Sequence, residues 1–260
     1  CVKGDDPACP MAPLAVVSPA ADWPHFTGTY AEYYYLRPNH TVFKVPDVLS
    51  DRVVAPANCA LSTVLYGFER ANLSFGDSVV IQGAGGLGIY AAALAKDMGA
   101  HKVIVVDGID ERLQLAREFG ADEVIDIREY QTPAERFLRA KELTGGWGAD
   151  VVAELVGSPH VIDEGIDMLA NGGRYLEIGN AVVPSAFQSD ISKLVVNNKS
   201  IIGVLLYTPD TLRKALDFLV RTRNRYPFDK ILSHSYPLED INKAFEEQNK
   251  GHVCRSSLIP

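Results

Sequence analysis

A β-branched run, Ser78-Val79-Val80-Ile81-Gln82, meets three glycines spaced G-x-G-x-x-G at Gly83, Gly85 and Gly88. An Ala/Leu-rich segment, Ile89-Tyr90-Ala91-Ala92-Ala93-Leu94-Ala95-Lys96, follows at once. Few folds accept that order. The first glycine permits a tight turn out of a strand, the second lets backbone approach a pyrophosphate, and the third lets a helix lie close on a sheet. The helix start adds free N–H groups and a positive dipole end. The stretch reads as a dinucleotide fingerprint, with Gly83, Gly85, Gly86, Leu87 and Gly88 cradling a pyrophosphate. A second apolar strand, Val103-Ile104-Val105-Val106, ends in Asp107. An acid about twenty residues past the glycines is placed to hold an adenine ribose. It favours NAD, because a 2′-phosphate there would meet like charge, although Arg112 stands near enough in sequence to weaken that exclusion.

From Ser78 to about Leu206 apolar strands alternate with amphipathic helices. Strands are expected over 78–82, 102–107, 123–127, 150–154, 173–178 and 200–205, and helices over 87–98, 110–119, 132–143, 160–170 and 189–197. Such alternation implies βαβ units and a parallel sheet, with right-handed crossovers. Six strands complete a two-halved Rossmann sheet. The expected fold class is therefore α/β, doubly wound.

Before this block, residues 28–46 read as β structure, dense in aromatics. Residues 51–70 have helical spacing interrupted at Pro56 and Asn58, with Cys59 just after the break. After it come a helix from Thr208-Pro209-Asp210, a strand over 231–236, a helix from Leu238 and a final strand over 253–259. Residues 1–25 are rich in turn formers.

The chain has 260 residues, 47% hydrophobic and 22% charged, with net charge −8. Its acidity argues against nucleic acid or an anionic membrane as partner. No apolar run approaches the roughly 18 residues of a membrane-spanning helix. Four scattered cysteines do not make a disulfide scaffold, and a reducing cytoplasm is the simplest compartment.

Taken in order, these stretches resemble the zinc-dependent medium-chain alcohol dehydrogenases. The likeness is carried by Gly28-Thr29-Tyr30-Ala31-Glu32-Tyr33, Cys59-Ala60-Leu61-Ser62-Thr63, Gly83 to Gly88, Val105-Val106-Asp107, Glu154-Leu155-Val156-Gly157 and Pro237 to Phe245. The resemblance implies a Rossmann domain over 59–207, inserted in a partial β-rich, chaperonin-10-like catalytic domain of residues 1–58 and 208–260. It implies NAD and zinc as cofactors and hydride transfer between an alcohol and NAD. By resemblance Cys59 is a catalytic-zinc ligand, and Cys1 and Cys9 match half of a structural-zinc lobe. Thr63, Val156, Gly157, Ile178 and Leu206 fall near the nicotinamide, Arg112 near the ribose, and Arg255 near the pyrophosphate. His25 and His40 read as structural residues that could line the cleft.

The early zinc ligands have no counterpart, so the chain is expected to be a portion of a longer protein lacking roughly 100 residues, and to hold neither zinc by itself. The aromatic run Tyr33-Tyr34-Tyr35 hints at apolar, secondary or cyclic alcohols as substrates. The apolar strand near Ile201 implies an edge that pairs subunits as a homodimer or homotetramer. Two other readings remain open: a zinc-free quinone or enoyl reductase of the same superfamily, and a nucleotide-binding fragment without turnover.

Overall fold

The computed structural model describes residues 29–36, 40–181, 183–250 and 254–260. Its centre is a six-stranded parallel sheet of β1 (Ser78–Gln82), β2 (Lys102–Asp107), β3 (Glu123–Asp126), β4 (Ala149–Glu154), β5 (Leu169–Glu177) and β6 (Ser200–Gly203). The strand order is β3-β2-β1-β4-β5-β6. The chain thus starts in the middle, winds one way, returns to β1 and winds the other way. The order reverses beside β1, which opens a crevice at its carboxyl end.

The sheet is covered on both faces, which is why its strands read as unbroken apolar runs rather than alternating ones. Val79, Ile81, Val103, Val105, Val151, Ala153 and Leu176 face one core. That core lies under α2 (Ser62–Arg70), α3 (Gly86–Asp97) and α8 (Pro209–Thr222). Val80, Ile104, Val106, Val152 and Tyr175 face the other core. That side is covered by α5 (Pro133–Leu143) and α6 (Ile162–Met168). Between β2 and β3 runs α4 (Asp110–Glu118), and between β5 and β6 a short α7 (Ser192–Val196).

Local signals set most boundaries. α5 begins at a reciprocal cap: the Glu135 N–H donates to Thr132 Oγ1, and the Thr132 N–H donates to Glu135 Oε2, with Pro133 in the first turn. α3 lies hard against the sheet, because a Cβ at Gly88 would stand 1.9 Å from the Gly83 carbonyl oxygen. Only glycine allows that approach.

Around the break at Pro56, α1 (Asp51–Val54) gives way to a π-helical turn, Ala57–Leu61. The carbonyl of Pro56 collects the N–H groups of Cys59, Ala60 and Leu61, and Ser62 Oγ donates to the Ala57 carbonyl at 2.7 Å. The extra residue of a π turn pushes one position outward, and Cys59 is exposed on it.

A second sheet pairs β7 (Leu232–Pro237) in parallel with β8 (Arg255–Ile259), with α9 (Ile241–Asn249) between them. The β structure expected over 28–46 does not form in its described part: residues 29–36 and 40–46 carry no strand. A strand needs a neighbour's N–H and C=O groups, and among the described residues no strand pairs with this segment. Tyr30, Tyr33, Tyr34 and Tyr35 are exposed. Residues Cys1, Cys9 and His25 lie outside the described residues. No described helix is long and apolar enough to cross a membrane.

Candidate active site at the crevice beside β1

The glycine turn joins the end of β1 to α3. Gly83 takes φ +96°, in the left-handed region that favours glycine, and Gly85 caps α3 with no side chain bonded to the helix start. A Cβ placed on Gly85 would meet no atom within 4 Å. The first-turn N–H groups of α3 have no partner inside the helix, and a helix start of this kind favours an anion. Arg255, from β8, lies over this turn: its Nε stands 2.9 Å from where a Cβ on Gly86 would be. A cradle of backbone donors with a guanidinium beside it fits a pyrophosphate.

Two acids end the strands on either side of β1. Asp107, at the end of β2, accepts the Ala84 N–H at 2.7 Å through Oδ2, and the Gly108 and Ile109 N–H groups at 2.7 and 3.0 Å through Oδ1. A carboxylate offers about four lone-pair sites, so about one is left for a ribose hydroxyl. Arg112 lies on the first turns of α4, lining a cavity of about 720 Å³ with Gly108, Ile109, Lys230 and Cys254. Burial raises the Cys254 thiol above its ordinary range, against the pull of Arg112 and Arg255.

Glu154, at the end of β4, is fully buried. Its Oε1 accepts the Val156 and Gly157 N–H groups, each at 2.7 Å. Burial and the neighbouring Glu177 push its carboxyl up to about 7. Val156 is exposed and leans on the glycine turn, its Cγ2 3.0 Å from a Cβ built on Gly83. Ile178 is instead buried, its Cδ1 2.9 Å from a Cβ built on Gly67 of α2.

A separate cavity of about 440 Å³ brings together Cys59, Thr63 and Leu206 with His40, Phe43, Asn58, Leu205, Tyr207, Pro209 and Leu212. Tyr207 donates its hydroxyl to Asn58, reaching Oδ1 at 2.9 Å and the main-chain carbonyl. Burial and Cys59 raise that phenol to about 12. The sequence names Asn58 only as a helix break and Glu154 only within a family-like stretch, and it gives Tyr207 and Glu177 no role. The Glu154–Glu177 pair had one visible signal: a glutamate closing the apolar run Val151-Val152-Ala153.

Zinc fails the test of donors. Catalytic zinc takes three protein ligands and structural zinc four. Among the described residues no group of three His, Cys, Asp or Glu can hold a metal. Cys59 alone does not make a site.

The fold and crevice define an α/β protein with a doubly wound parallel sheet and a glycine turn between β1 and α3. The sequence signature described as zinc-binding dehydrogenase matches residues 86–221, and the chain belongs to that family. It is 31% identical over 229 residues to the 5-exo-hydroxycamphor dehydrogenase of Pseudomonas putida, covering 88% of this chain and 63% of that one. It is 31% identical to the L-threonine 3-dehydrogenase of Bacillus velezensis, covering 100% of this chain and 71% of that one. An alcohol dehydrogenase structure from Thermotoga maritima superposes with a TM-score of 0.85 at 32% identity, covering 93% of this chain and 66% of that one. The chain therefore spans about two thirds of the length of these relatives.

Proposed function

We propose that the chain binds NAD in the crevice beside β1 and serves an oxidoreductase that moves hydride between an alcohol carbon and the cofactor. The observation that carries this reading is the Gly85 cap: a helix start with no side-chain partner, opening on free space, with Arg255 alongside. Backbone N–H groups of Gly86, Leu87 and Gly88 would hold the pyrophosphate, and Arg255 would balance its charge. Asp107 would accept a ribose hydroxyl, with Arg112 at the edge of the same pocket. Val156 and Gly157 would border the nicotinamide ribose, and Thr63 and Leu206 the ring. The nicotinamide supplies the hydride chemistry; the protein supplies position and field.

The cavity at Cys59 is the proposed substrate pocket. Phe43, Leu205, Leu206, Pro209 and Leu212 make it mostly apolar, which suits an apolar alcohol or its ketone. Cys59 is proposed as one thiolate ligand of a zinc ion. One ligand does not hold zinc. The sheet edge at β6 is proposed to pair with a second copy: β6 is the last strand, and Ile191, Val195, Val196 and Ile201 near it are exposed.

Calorimetry with NAD and NADP on the 260-residue chain tests the cofactor assignment. Binding of NAD, tighter than NADP, is expected; no binding of either overturns it. A second reading is nucleotide binding without turnover: among the described residues no group of three possible ligands accompanies Cys59. NAD binding with no alcohol-dependent NADH formation by the full-length, zinc-loaded protein would select it. A zinc-free quinone or enoyl reductase would bind no zinc and leave its activity unchanged in Cys59→Ser.

A further inference from the structure

The ends of β1, β4 and β5 carry a row of polar side chains at one register level. Gln82 pairs with Glu154, and Glu154 with Glu177. Neighbours in register emerge on the same face, with their strands about 4.8 Å apart. Here that face is the one holding Val80, Val152 and Tyr175. Gln82 is satisfied separately: it accepts the Tyr175 hydroxyl at 2.9 Å and donates to the Val161 carbonyl at 2.9 Å. The two glutamates are left to each other.

Their hydrogen bonds are incomplete in an informative way. Glu154 Oε1 takes the Val156 and Gly157 N–H groups, and Glu154 Oε2 takes Asn180 Nδ2 at 3.2 Å. Glu177 Oε1 takes the Asn180 N–H at 3.0 Å and Asn180 Nδ2 at 3.1 Å. Glu177 Oε2 is buried with no donor. A buried carboxylate oxygen without a donor is costly, and a second, partly buried carboxylate beside a buried one costs more. One proton between the two acids removes both penalties.

We propose that Glu154 and Glu177 share one proton, and that this carboxyl pair is a positioning device that holds the 155–157 and 178–180 loops against the glycine turn. The loops are locked together tightly: a Cβ on Gly179 would stand 2.2 Å from Glu154 Oε2 and 2.5 Å from the Gly157 nitrogen. The 155–157 loop in turn touches Gly83, 3.2 Å from its Cβ position to the Val156 nitrogen. Losing the proton puts two like charges against each other and loosens the loop that borders the cofactor crevice. This consequence rests on the NAD reading above; the shared proton does not.

Among the described residues no cation forms an ion pair with either acid. From β5 it faces Tyr175, whose hydroxyl is pushed well above its ordinary range by burial and then by Glu177, Glu154 and Glu164. From α6 comes Glu164, which is held by Arg136 of α5 at 2.6 and 2.7 Å. From β1 comes only the neutral Gln82. Burial, and then the Glu177 charge, raise the Glu154 carboxyl to about 7.

The test is amide NMR on the 260-residue chain across pH 5.5 to 8.5, with NAD binding measured in parallel. The Val156 and Gly157 amide protons are expected to shift together with a midpoint near neutrality, and to stop titrating in both Glu154→Gln and Glu177→Gln. NAD affinity is expected to fall about tenfold over the same range in the unaltered chain and to stay flat in Glu154→Gln, as linked equilibria require. Amides that do not titrate, or that titrate unchanged in both variants, overturn the shared proton. Titrating amides with pH-independent NAD affinity overturn its hold on the crevice. Failure of NAD to bind at any pH overturns the cofactor reading, while the amides still decide the pair.

Discussion

Two acids flank the glycine turn, and they behave differently. Asp107 closes β2 and Glu154 closes β4, each beside β1, each gathering main-chain N–H groups from the loop that follows its strand. Asp107 also takes the Ala84 N–H of the glycine turn itself, and the acid at its strand level, Asp126 on β3, is held by Arg128. Glu154 has Glu177 at the same level, and among the described residues neither is paired with a cation. One side of the crevice is held by an ion accepting dipoles, the other by a pair of acids that cannot both be ions at low cost. The same topological position thus carries two electrostatic designs.

The sharpest break comes from crowding the second side. Gly179→Ala would drive a methyl into Glu154 Oε2 and the Gly157 backbone, at a cost of about 3 kcal/mol, since backbone cannot move aside. Gly108→Ala, next to Asp107, meets side-chain atoms alone, Ile127 Cγ1 at 2.8 Å and Cδ1 at 2.9 Å, and should cost about 1 kcal/mol, because a side chain can shift where backbone cannot. Thermal melts of the two variants check the contrast; equal losses would show the two sides to be equally rigid.

Next is Asp107→Ala. Three N–H groups lose their acceptor, and a loss of about 2 kcal/mol follows if water replaces it only in part. Affinity for NAD should drop far more than affinity for NADP. Equal losses for both cofactors would leave Asp107 as a tie for the turn and refute its ribose role.

A third effect separates the sides by pH. Glu154 is raised from 4.5 to about 7, so the folded chain keeps a proton that the unfolded chain has lost. Stability then declines as pH climbs from about 4.5 to about 7 and levels off above that. Glu154→Gln should remove this segment of the curve. The check is the difference in melting temperature between the chain and the variant across that window; a constant difference would deny the raised carboxyl.

How much of this could be read from residues follows from where each feature is decided. The β1–α3 turn and the six strands of the main sheet are local: β-branched runs, a glycine spacing and a Thr132/Glu135 cap each specify their own element. β5 starts at Leu169 rather than 173, because α6 ends early and its chain runs straight into the sheet. The segment 29–46 is not local: Tyr30 to Leu36 has strand composition, but composition supplies no partner. The acid pair was hidden for another reason. Glu154 and Glu177 lie 23 residues apart, and only the β4–β5 register makes them neighbours. Tyr207 and Asn58, 149 residues apart, meet for the same kind of reason.

The smallest expected effect on stability, and the most diagnostic for the crevice, lies at Arg255. Its side chain crosses from β8 to rest on Gly86, so the two-stranded sheet reaches the turn through one flexible residue. Arg255→Ala should change the melting temperature little, within about 0.5 kcal/mol, since the side chain is half-exposed and fills no core. Its effect on NAD should be larger, about tenfold weaker binding at low salt, as for a lost charge-assisted hydrogen bond. That difference should shrink as salt rises, because a pyrophosphate contact is screened. Arg255→Lys should recover part of the affinity, keeping the charge but not the planar fork. If Arg255→Ala instead leaves NAD affinity and its salt dependence unchanged, the arginine only packs on Gly86, and the anion site is made by the helix start alone.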